Sequence, residues 1–124
     1  MVNSAGCVEC HTPFDGIALE LDKAFAGGRA FAMPGGTVIY PNITPDPETG
    51  IGNWTQKAFV ARFKTYDMGK GYEAPVVKSG EMNTIMPWTM YAGMDEIDIA
   101  AIFTYLHSLE PIENKVEIFM AMGN

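Results

Sequence analysis

Gly6-Cys7-Val8-Glu9-Cys10-His11-Thr12-Pro13 is the stretch on which the fold turns. Cys7 and Cys10 are the only two cysteines of the chain, and His11 follows at once, so the segment reads C-x-x-C-H. On one turn of helix, residues three apart share a face. Two thiols spaced in this way can add to two vinyl groups along one porphyrin edge, while the next residue turns its imidazole under the iron. That is the arrangement of covalent c-type haem attachment, with Cys7 and Cys10 as the anchors and His11 as the first iron ligand. The competing uses of a bare C-x-x-C are a thioredoxin-like redox pair, half of a zinc site, and a disulfide. A redox pair is expected inside a βαβ pattern, and no strand-helix alternation surrounds residues 7 to 10. Zinc wants four ligands at finger-like spacing, whereas the chain adds only His11 and His107 to the two thiols.

Working outward from the iron, the sixth ligand decides the chemistry. A five-coordinate haem binds small ligands; a six-coordinate one with His and Met ligands exchanges electrons with little rearrangement and at a raised potential. Nine methionines are on offer, and most of them read as flexible core fillers. Met86 stands out because Met86-Pro87-Trp88 lies in a loop far from Cys7 in sequence, where Pro87 can stiffen the backbone behind it. Met82 and Met90, four residues to either side, are the alternatives. His107, the one rival histidine, falls between apolar positions of the last helix and reads as an exposed or half-buried helix residue.

Around this site the chain reads as a few helices joined by long loops. Asp95 can cap a helix in which Ile99, Ile102, Phe103 and Leu106 recur at helical spacing, with Leu109 extending the stripe until Glu110-Pro111 stops it. A second helix starts at Thr55, buries Phe59, Val60 and Phe63, and ends before Gly69. The turn carrying Cys7 to His11 is a third, shorter one. Arg29 to Tyr40 alternates loosely around Pro34-Gly35-Gly36, as in a small hairpin. Residues 41 to 53 form an ordered loop anchored by Ile43, Ile51 and Trp54. A haem buries its macrocycle and leaves two propionates that need donors or water, for which Trp54, Tyr40, Arg29 and Asn42 are available.

Composition sets the outer limits. At 124 residues and 48% hydrophobic content the chain suffices for one packed core, so residues 1–124 are expected to form a single domain. A formal net charge of −7 with no basic cluster disfavours nucleic acid and anionic membrane surfaces. No run of 18 or more apolar residues and no signal-peptide pattern occurs, so membrane association is expected only through a segment not present here. Six residues before Cys7 are too few for a helix that packs across the domain, and Met1 is expected to be a boundary within something longer.

Together, Gly6-Cys7-Val8-Glu9-Cys10-His11-Thr12-Pro13, Asn42-Ile43-Thr44-Pro45-Asp46-Pro47-Glu48-Thr49-Gly50-Ile51-Gly52-Asn53-Trp54 and Met86-Pro87-Trp88 resemble the class I cytochrome c family. More narrowly they are similar to the cytochrome c domains that accompany bacterial periplasmic dehydrogenases. The resemblance implies a mainly α-helical class I cytochrome c fold around one covalently bound haem c, with His11 and Met86 as axial ligands. It implies an exported, periplasmic electron carrier rather than an enzyme. Its partners would be a dehydrogenase or quinol-oxidising donor and an oxidase or cytochrome acceptor. The chain departs from the family in lacking all or nearly all of the helix that normally precedes the attachment motif. The alternative from another class is a haem-based sensor or gas-binding module with a displaceable distal ligand.

Overall fold

Trp54-Thr55-Gln56 begins the segment that organises the core. Thr55 sits in extended backbone and its hydroxyl accepts the Ala58 N–H at 3.1 Å, satisfying one of the donors a helix start leaves open. The helix that follows buries Phe59 and Phe63, four residues apart and so on one face, while Val60 beside them is only partly buried. The computed structural model describes residues 5–78 and 80–121. Within them four α-helices occur in chain order: α1, Cys7–His11; α2, Gln56–Lys64; α3, Trp88–Ala92; and α4, Glu96–His107. Short 3-10 turns occupy Leu21–Lys23 and Met68–Lys70, the second holding the Gly69 that the sequence places just past α2. The expectation that little of a leading helix precedes the attachment motif concerns residues 1–6, of which 1–4 lie outside the described residues.

α4 carries the predicted stripe: Ile99, Ile102, Phe103 and Leu106 are all buried, and Leu109 packs partly buried beyond the helix end. Asp95 holds the N-cap position through its backbone carbonyl, which accepts from Asp98 and Ile99, rather than through its side chain. α2 crosses α4 with Phe59 against Phe103, ring centroids 5.3 Å apart, and Phe59 and Phe63 meet at 5.0 Å. Phe25 and Ile51, from the loops, complete this core.

The hairpin forms where the alternation indicates it. Strands β1, Ala30–Met33, and β2, Gly36–Ile39, pair antiparallel in the register Ala30↔Ile39 to Met33↔Gly36. A third strand, β3, Phe119–Ala121, pairs with the other edge of β2 and gives the order β1-β2-β3. The segment leading to β3 is strapped across the loop after residue 41. Asn42 Nδ2 donates to Ile112 O at 2.7 Å and to Thr49 Oγ1 at 3.2 Å, its Oδ1 accepts from Thr44 N and Oγ1, and Thr49 Oγ1 accepts from Asn114 N at 2.9 Å. The expected ordered loop is therefore held by a polar knot as well as by its apolar anchors, of which Ile51 is buried, Ile43 half-buried and Trp54 40% exposed.

One further tie holds the short helix α3. Lys64 at the end of α2 donates from Nζ to Ala92 O at 2.9 Å and to Met94 O at 2.5 Å, capping carbonyls that have no helical partner. Lys64→Ala is expected to lower stability by about 1–3 kcal/mol, the range for charge-assisted bonds to partly buried acceptors, read as a shifted urea midpoint at unchanged slope.

Candidate functional site

α1 follows Gly6, the N-cap residue with a left-handed φ of +73°, and brings Cys7, Cys10 and His11 onto a single turn. Cys7 and Cys10 are half-buried and form no disulfide with each other. Burial pushes the Cys7 thiol up to about 11, with the neighbouring Cys10 and Glu9 adding to the effect and its own backbone opposing it. A redox-active pair works through a thiol with a lowered pKa, so the environment of Cys7 argues against that use.

His11 is only 5% exposed. Its Nδ1–H donates to the carbonyl of Pro41 at 2.8 Å, which fixes the tautomer and leaves the Nε2 lone pair free to bind a metal. Burial lowers its pKa, against the raising effect of the Pro41 hydrogen bond, and so keeps the ring in the neutral form that a metal requires. The Tyr40 ring stands edge-on to the imidazole at 4.9 Å, and burial together with Cys10 keeps the Tyr40 hydroxyl protonated. Behind the imidazole the backbone is interlocked. Gly27 N–H donates to His11 O at 2.7 Å, Phe25 N–H to Thr12 Oγ1 at 3.1 Å, and Ile43 N–H to Phe25 O at 2.9 Å. Phe25 is held there at φ +66°, the one non-glycine residue at positive φ among the described residues.

His11 faces a crevice made of two adjoining cavities of about 360 and 570 Å³. Both are bordered by His11, Pro41, Arg62, Met86, Trp88 and Ile118. Cys7, Trp54, Phe59, Ile99 and Leu106 line the first, and Tyr40, Tyr66, Met82 and Ile85 the second. Together these are volumes suited to one large apolar cofactor. Among the described residues no aspartate or glutamate borders either cavity, although the chain carries fifteen. A flat apolar macrocycle with a metal at its centre, anchored at one edge through thioethers, fits these surroundings: greasy walls, an oriented neutral imidazole, and two thiols on the adjoining turn.

Met86 is partly buried against the core and borders both cavities, as His11 does. Its N–H donates to Thr84 Oγ1 at 3.2 Å and its carbonyl accepts the Trp88 N–H at 2.8 Å, and helix α3 starts directly after Pro87, an element the sequence reading leaves as loop. Of the alternatives, Met82 borders the second cavity but is 42% exposed, and Met90, 65% exposed, borders neither. Met94 borders the first cavity and escaped the sequence reading because nothing local separates it from a core methionine.

The proposed propionate donors divide. Asn42 is consumed by the knot, and Arg29 donates to Glu9 O at 2.6 Å while lying over Phe14 and Phe31. Tyr40, Trp54 and Asn42 all border the crevice, Asn42 with its amide already engaged, whereas Arg29 does not. Arg62, which the sequence does not single out, borders both cavities. His107 is half-buried as expected, with Nε2 2.9 Å from Ile51 O and its ring 4.1 Å from that of Phe103. Among the described residues no group of three or more His, Cys, Asp or Glu is placed to hold a metal ion, which leaves the zinc alternative without a site. No helix among them is long and apolar enough to cross a membrane.

Comparison with known proteins agrees with this geometry. The cytochrome c family profile matches residues 2–110. A nicotinate dehydrogenase subunit of Pseudomonas putida is 34% identical over 116 residues, 92% of this chain and 8% of that protein. The cytochrome c subunit of the quinone alcohol dehydrogenase of Gluconobacter oxydans is 34% identical over 108 residues, 86% of this chain and 20% of its own length. The cytochrome c subunit of gluconate 2-dehydrogenase of Pantoea cypripedii is 32% identical over 114 residues, 90% of this chain and 22% of its own. The chain thus spans about a fifth or less of each of these relatives. Four helices with a small antiparallel sheet around an apolar crevice, the C-x-x-C-H turn, and the profile match over most of the length agree on one conclusion: this chain belongs to the cytochrome c family.

Proposed function

We propose that the chain is a one-electron carrier in which Cys7 and Cys10 hold a single haem c and His11 and Met86 are its axial ligands. The observation that carries the reading is that His11, with its Nε2 left free by the Pro41 hydrogen bond, and Met86 border the same acid-free crevice, next to the Cys7 turn. When bound, haem c supplies an Fe(III)/Fe(II) couple. The protein's part is to orient and exclude. Pro41 holds the imidazole in one tautomer, Pro87 and Thr84 fix the backbone on either side of Met86, and Phe59, Ile99, Ile102 and Leu106 keep water from the inner wall. A thioether and a neutral imidazole both favour the reduced iron relative to harder ligands, and a fixed ligand pair keeps the reorganisation small.

Residues 1–124 act in this reading as a single haem-binding unit located in the periplasm. Its partners are a dehydrogenase or quinol-oxidising donor and an oxidase or cytochrome acceptor, in keeping with relatives that are named as dehydrogenase cytochrome subunits. The chain itself transforms no substrate. The test is protein matured in a host competent for haem attachment. We expect the mass of the polypeptide plus one haem, a sulfur-to-iron absorption band in the oxidised form, and slow, weak binding of carbon monoxide by the reduced form at neutral pH. A bare polypeptide mass sinks the carrier reading, and rapid, tight carbon monoxide binding replaces it with a gas-binding module.

A further inference from the structure

Among the described residues Arg62 is the only lysine or arginine bordering either cavity, and it borders both. It stands on the exposed side of α2, one residue before buried Phe63. Its guanidinium lies over Trp88 at 4.8 Å and over Tyr66 at 5.2 Å, and Nη1 donates to the Tyr66 hydroxyl at 2.7 Å. The two rings are themselves stacked, 4.9 Å apart and 16° from parallel, and Trp88 Nε1 is tied to Thr84 Oγ1 at 3.2 Å. The cation is thus fixed on an aromatic shelf at the rim of an apolar hollow.

A guanidinium presents five N–H donors in a rigid fork suited to a carboxylate. Tyr66 takes one of them. Among the described residues the single ion pair is Lys23 with Glu20, so none of their carboxylates lies within 4 Å of Arg62. The remaining candidates for holding an anion here are weaker. Arg29 and Asn42 are engaged elsewhere, while Tyr40 and Trp54 carry no charge. A rigid cation with unused donors at the mouth of a site without acids matches an anion that arrives as part of the occupant.

We propose that Arg62 binds a propionate carboxylate of the haem, a contact that rests on the haem c reading above. Because the guanidinium also stacks on Trp88, two residues after Met86, that contact braces the Met86 segment. The charge pair also sets the electrostatics near the iron: removing the cation leaves the propionate uncompensated and disfavours reduction.

The experiment uses the matured holoprotein and compares Arg62→Gln with Lys57→Gln, which removes the same charge from the same helix away from the crevice. For Arg62→Gln we expect a retained sulfur-to-iron band, an altered propionate bending mode in the resonance Raman spectrum, and a lower midpoint potential. The expected drop is about tenfold in the reduced-to-oxidised ratio at fixed ambient potential, which is about 59 mV for one electron. Lys57→Gln should change neither quantity. An unchanged potential and propionate mode in Arg62→Gln, or an equal shift in Lys57→Gln, overturns the proposal. If Arg62→Gln does not mature, the reduced wild-type protein labelled in its arginines decides. Nuclear Overhauser contacts from the Arg62 guanidinium to a propionate methylene are expected, and their absence from an assigned spectrum overturns the contact. A wild-type protein with haem and no such contacts refutes Arg62 alone, whereas one that takes up no haem refutes the carrier reading as well.

Discussion

Met86→Ala will leave the haem attached, open the sixth coordination position and lower the midpoint potential by on the order of 0.1 V or more, within the roughly 0.8 V range that axial ligands span. The cause is local, because an alanine at 86 offers no sulfur to the iron, while the backbone on either side stays pinned by Thr84 and the Trp88 N–H. The sulfur-to-iron band should disappear and carbon monoxide should bind the reduced protein rapidly. Met94 is the informative control, since it also borders the first cavity. If Met94→Ala abolishes the band and Met86→Ala leaves it and the potential unchanged, the ligand assignment moves to Met94.

Gly27→Ala is expected to damage both the fold and the site. A Cβ at position 27 would stand 2.4 Å from the carbonyl carbon of Pro41 and 2.6 Å from Asn42 N, atoms of backbone that cannot swing aside like a side-chain tip. The residue also sits at φ +75°, where a side chain costs about 1–2 kcal/mol before any clash. Relief requires Pro41 to withdraw, and Pro41 is the acceptor that orients His11. A loss of about 3 kcal/mol or more in urea unfolding is expected, together with a shifted potential as the imidazole loses its hydrogen bond. Wild-type stability with an unshifted potential would show that the packing of Gly27 on Pro41 does not govern the site. Gly16→Ala is the matched comparison: its φ is +100°, yet nothing lies within 4 Å of the added carbon, so only the conformational cost applies.

The parts of this arrangement that a reader of the sequence can see are those written in nearby residues. C-x-x-C-H is legible because its chemistry needs one helical turn and nothing else. α4 is legible because four buried residues repeat at helical spacing, and β1 and β2 because Pro34-Gly35-Gly36 marks the turn between them. What stayed hidden depends on distant partners. β3 owes its existence to the free edge of β2, more than 80 residues earlier, and Phe119-Met120-Ala121 carries no alternation that would announce it. Asn42 looked like a donor for the cofactor because its amide suits that role, but the carbonyl of Ile112 claims it. Arg62 reads as an ordinary exposed helix residue until α3 brings Trp88 beneath it. Asp95 shows the opposite case, a correct cap position reached with the backbone in place of the predicted carboxylate.

The strap from Ile112 to Ala121 has a consequence for timing. Ile118, which borders both cavities, and the Ile112 carbonyl, which locks Asn42 from 70 positions away, meet their partners only through long-range closure of the chain. Such contacts form slowly, because the entropy of closing a long loop is spent before they add stability. The wall they supply is expected to be the last part of the crevice to assemble.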